Sequence, residues 1–109
     1  QKIKKLDFYI EIISRQLLNL YNVGLPQKID DLTTFTSVKL LNKNVQYNYA
    51  IDNSYTQPVN VNLIKNRGVN NICKQFKVYF EKEIVHVVEF NYVAQAGPAN
   101  FTIDKEDCD

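Results

Sequence analysis

Two cysteines, Cys73 and Cys108, constrain this chain more than any other feature. They stand too far apart for a Cys-x-x-Cys redox motif or a zinc pair. Cys73 falls at the edge of an apolar helical stripe. Cys108 sits one residue from the end, in an acidic tail that also holds Asp104, Glu106, Asp107 and Asp109. A cysteine in such a tail has no packing role of its own, and a bond to Cys73 gives it one; the alternative is two free thiols. On the chain-entropy account, closing such a loop contributes roughly 3–4 kcal/mol, a large part of the stability of a small domain. A disulfide also implies an oxidising compartment, periplasmic or extracellular.

The chain is 109 residues long, the size of one domain. Its seven Tyr, six Phe and many β-branched residues are enough for a packed core, unlike the composition of a disordered chain. Thirteen basic residues against twelve acidic leave a formal charge of +1. That excludes a whole-domain field for nucleic acid or anionic membrane, so neither is expected as a partner. Lys2, Lys4 and Lys5 crowd the start and the acids crowd the end, which reads as solvated termini. No apolar run is long enough to cross a bilayer. Gln1 already lies inside a helical pattern, so an export signal or anchor is expected upstream of it.

Ile3, Leu6, Ile10, Ile13, Leu17 and Leu20 fall on one helical face, and Gly24 with Pro26 supplies the stop. Phe8, Ile12 and Leu18 lie off that face, where they are free to form a second contact with a partner protein. Thr34 to Leu41 reads as a strand. Asn42-Lys43-Asn44 is a turn, and Val45, Tyr47, Tyr49 and Ile51 then alternate with polar residues as a half-buried strand. After a polar loop over residues 52–60, an apolar sector from Ile64 to Phe80 predicts a helix over Val61–Lys82. Phe76, Val78 and Phe80 also alternate, which leaves a strand over Phe76–Phe80 open. Ile84 to Val93 and Asn100 to Asp104 read as the last two strands. The order is helix, strand, strand, helix, strand, strand. The simplest α+β arrangement that buries these stripes is a four-stranded antiparallel sheet with two helices packed on one face.

Chemistry-bearing constellations are sparse. His86 is the single histidine and stands between valines. A general base needs a nucleophile and a metal needs more ligands, and no motif supplies either, so a structural histidine is the expectation. Glu81, Glu83 and Glu89 are the nearest approach to the paired carboxylates of glycosidic chemistry, and all three read as solvated. Gly24, Gly68 and Gly97 stand alone, so there is no phosphate cradle. Asn100-Phe101-Thr102 fits a glycosylation sequon. No catalytic residue, cofactor or metal site is expected.

The residues Leu25-Pro26, Asp31-x-x-Thr34, Tyr47-x-Tyr49, Cys73 and Asp107-Cys108 resemble the pattern of small bacterial periplasmic or lipoprotein domains of unknown function. The pattern is similar, too, to pilotin-like accessory proteins of secretion systems, which are small, anchored and cysteine-paired. The resemblance implies export and a non-enzymatic, protein-binding role. An inhibitor or immunity-type protein, gripping an enzyme through a loop such as 52–60 or 94–98, is the first alternative. A small enzyme using His86 is the second.

Overall fold

The computed structural model describes residues 24–109. The first strand is a two-residue fragment, β1 (Gln27–Lys28), which follows a cis Leu25–Pro26 bond. β2 (Thr33–Leu41) and β3 (Asn44–Ile51) form a hairpin in which Leu41 pairs with Asn44. Asn42 takes the left-handed conformation (φ 57°) that this tight reversal requires, and asparagine tolerates it better than most residues. The helix α1 (Val61–Glu81) follows, then β4 (Val87–Val93), β5 (Ala99–Asp104) and a 3-10 turn over Lys105–Cys108. Residues 76–80 are therefore helix, and the alternative strand over them is excluded.

The sheet has five strands in sequential order, one more than the sequence reading gave, because the fragment β1 is too short to show in a hydrophobic pattern. It is also mixed rather than antiparallel: β3 and β4 run parallel, while β1–β2, β2–β3 and β4–β5 are antiparallel. Helix length explains the correction. A 21-residue helix spans about 31 Å, and an eight-residue strand about 26 Å. The helix therefore carries the chain back past the whole of β3, and β4 starts where β3 starts. The His86 N–H donates to the Lys43 carbonyl (2.8 Å) at that junction. A strand that restarts at the same end is parallel to its neighbour.

Register assembles the core in rows. Val45, Val88 and Ile103 lie side by side across β3, β4 and β5, and none of the three is exposed. Tyr47, Phe90 and Phe101 form the next row, with Tyr47 and Phe90 stacked at 5.2 Å and Phe90 and Phe101 at 4.7 Å. Tyr49, Tyr92 and Ala99 form the third, its two rings 4.9 Å apart. Phe76 and Phe80 of α1 join this cluster with Ile84 and Val85. A bulge between Phe35 and Ser37 lets Phe35 and Val38, three positions apart, both face it.

The opposite face of the sheet is polar. Asn48 donates to Ser37 (3.0 Å), Asn91 to Asn48 (3.1 Å) and to Glu89 (2.8 Å), and Gln46 to Glu89 (3.1 Å). Glu89 was expected to be simply solvated; it is half-buried in this network, because its strand neighbours are amides that donate to it.

Three devices fix the ends of α1. The Asn60 side chain accepts from the Leu63 N–H (3.1 Å), satisfying one free donor at the N-terminus. At the other end the Glu83 N–H donates to the Phe80 carbonyl (3.1 Å) and the Ile84 N–H to the Tyr79 carbonyl (2.9 Å), a Schellman closure with Glu83 left-handed at φ 58°. Third, the C-terminal turn is tied to its flank. Cys73 and Cys108 are bonded, with Cα atoms 5.5 Å apart, and Lys65 pairs with Asp107 at 3.1 Å. Asp104 and Asp107 cap the turn reciprocally. The acidic tail is thus an ordered element, not only a solvated end.

Candidate functional site

Of the residues that sequence singled out, Cys73 and Cys108 are bonded and His86 shares one surface depression with Glu83, and no single site gathers the rest. Phe8, Ile12 and Leu18 lie outside the described residues. Cys73 and Cys108 hold the C-terminal turn. His86 is exposed, not packed as a structural histidine. It stands just before β4, where its N–H is bonded to the Lys43 carbonyl, and it lines a depression shared with Glu83 and Asp104. Glu81 and Glu83 are exposed, and Glu89 is on the far side of the sheet. Among the described residues no group of His, Cys, Asp and Glu comes together as a metal site. Nor is any helix among them long and apolar enough to cross a membrane.

The tyrosines occupy the apolar face. Burial pushes the Tyr47 hydroxyl up to about 12, with the nearby Tyr49 adding to the shift and a hydrogen bond to Gln75 opposing it. Burial likewise raises Tyr92 to about 12 and raises Tyr49. These are protonated core side chains and offer no base at neutral pH.

Among the described residues, a well-formed concavity lies at the other end of the sheet, where the β1–β2 turn, the loop over residues 52–60 and the start of α1 meet. It is an open groove of about 440 Å³, walled by Leu32, Ile51, Val59 and Leu63, with Tyr55 and Asp31 on its margin. Its size lies within the range of about 300–1,000 Å³ usual for binding clefts. Local chemistry builds each wall. The Asp30 carboxylate accepts from the Leu32 and Thr33 N–H groups (2.9 and 2.8 Å), folding the turn so that Leu32 stands up from it. Those same hydrogen bonds hold Asp30 below the usual carboxylate range. The Asp52 N–H donates to the Leu32 carbonyl (2.7 Å), joining the end of β3 to that turn. The Asp52 carboxylate accepts from the Ser54 hydroxyl and N–H, which lowers its pKa and shapes the start of the 52–60 loop. The Asn60 cap then directs α1 so that Leu63 faces the opening.

Three of the six large apolar side chains exposed among the described residues are here, the others being Leu41, Val78 and Val93. Leu32 and Leu63 are 38% and 43% exposed, and Ile29, in the same turn as Leu32, is 54% exposed. The sequence offers the 52–60 loop as one possible contact but does not join it to Ile29, Leu32 and Leu63. No sequence signal brings residues 29–33 beside residue 63; that proximity comes from the β2–β3 register and the entry into α1.

No protein-family model matches the chain, and no curated protein matches it. Its fold is shared with a solved structure, that of a Pseudomonas aeruginosa protein inferred to be secreted. The two are 12% identical, with a TM-score of 0.72 over 96% of this chain and 94% of that one. At that identity the likeness is one of fold: an α+β domain with a five-stranded mixed sheet.

Proposed function

We propose that this chain is an exported, non-enzymatic accessory module that works by binding another protein. The observation that carries the reading is an aliphatic groove whose walls include the exposed Leu32 and Leu63, since apolar exposure grouped at a concavity is a mark of an interaction surface. Export is supported by the Cys73–Cys108 bond, which persists in oxidising compartments. The fold shared with a protein inferred to be secreted accords with it. The inhibitor reading keeps a foothold because Tyr55 and Val59 of the 52–60 loop line the groove. It differs in requiring a tight one-to-one complex with an enzyme whose activity falls on binding.

Two measurements test the proposal. Alkylation and intact-mass analysis of protein taken directly from its cells should find both cysteines blocked; two alkylated thiols would remove the case for export. Cross-linked capture from the cell-envelope fraction of those cells should recover a partner with the wild-type chain and much less with Leu32→Asp combined with Leu63→Asp. Undiminished capture by the variant would move the binding surface elsewhere.

A further inference from the structure

We infer that the groove between the β1–β2 turn and the start of α1 receives a peptide segment that carries aliphatic side chains flanked by lysine or arginine. This rests on the protein-binding reading above and deepens it. The walls are aliphatic, and Leu32 and Leu63 stand partly out of the surface, so apolar side chains from a partner would complete a contact that the fold leaves unfinished. The rim is acidic. Asp30 and Asp31 border the groove, and Asp52 is joined to it through the Leu32 carbonyl. Lys28 lies close enough to lower both Asp30 and Asp52, and the N-terminus of α1 adds roughly half a positive charge. Together these offset about half of the three carboxylates, and a negative balance remains.

The molecule as a whole gives no such bias, because its formal charge is +1. Preference for a cationic segment therefore has to come from this rim. The carboxylates of Asp30 and Asp52 are also held in place by their own turns, so their charge is fixed near the opening without further loss of side-chain freedom. Asp31 has no part in those turn bonds, which makes it the residue to change.

The test is a titration of the isotope-labelled full chain, followed by backbone amide shifts, with a short peptide alternating lysine and leucine and its counterpart alternating glutamate and leucine. Saturable shifts are expected at Leu32, Tyr55 and Leu63 with the lysine peptide, about tenfold weaker binding of the glutamate peptide, and a loss of that difference at high salt. Asp31→Asn should weaken the lysine peptide a few-fold and leave the glutamate peptide unchanged or slightly tighter. Leu63→Ser, at an exposed position, should weaken both. Equal binding of the two peptides overturns the inference, as do shifts confined to another surface or a groove that takes up neither peptide because residues 1–23 of the same chain fill it. Each of those results leaves the binding-module reading to the envelope capture experiment, which can succeed through a different face.

Discussion

Tyr47 and Tyr92 show how a single buried hydroxyl couples to the stability of the whole domain. Both sit on the apolar face, each 7% exposed, and burial pushes both up to about 12. In the unfolded chain they ionise near 10. Below that pH both states keep the protons and the contribution is constant. Between 10 and 12 the unfolded chain holds fewer protons than the folded one, so stability falls as pH rises. Urea unfolding across this range should show a steeper loss in the wild type than in a Tyr47→Phe, Tyr92→Phe variant. Lysine titration is common to both and cancels in the comparison; parallel curves would mean that the hydroxyls are wetter than their burial indicates. The inward direction of Tyr47 was legible, since Val45, Tyr47, Tyr49 and Ile51 alternate with polar residues. The polar network around Glu89 was not, because it depends on which strand lies beside which.

Among the elements, α1 was the most legible in the sequence. The boundaries expected from its apolar sector differ from the observed Val61–Glu81 by a single residue. Its C-terminal closure holds a reserve of stability. Glu83 occupies the left-handed position of the Schellman motif, where a side chain costs roughly 1–2 kcal/mol and glycine is the usual occupant. Glycine returns part of that gain through its freer unfolded chain. Glu83→Gly should therefore stabilise the domain by about 0.5–1 kcal/mol and raise the thermal midpoint by a few degrees. An unchanged or lower midpoint would show that the glutamate side chain makes a compensating contact. The β2 strand was legible as a strand but not as a bulged one. Phe35 and Val38 break strict alternation, and nothing in the residues says that the break is an inserted position rather than a turn.

For the molecule as a whole, the α+β class followed from the pattern of each element, whereas the direction of β4 followed only from how far α1 carries the chain. A strand's own pattern is the same whether its neighbour runs with it or against it; the information lay in the length of α1. The Cys73–Cys108 bond acts at this scale as well. It spans 35 residues that include β4 and β5, and on the chain-entropy account it contributes about 3–4 kcal/mol. Reduction, or Cys73→Ser with Cys108→Ser, should lower the unfolding free energy by that amount. The Lys105–Cys108 turn should then lose its covalent tie to α1 and keep the Lys65–Asp107 pair and its own caps, and amide exchange there should speed up before exchange in β4. The groove was not foreseeable, because its walls meet only after the sheet has formed. The β2–β3 and β4–β5 hairpins are each made of neighbouring chain and meet at the parallel seam, and the covalent path between them leaves β3 through the 52–60 loop, one wall of the groove. A guest lodged there would touch only the β2–β3 side of that seam and the entry to α1, so its seat belongs to the stretch of chain that links one hairpin to the other.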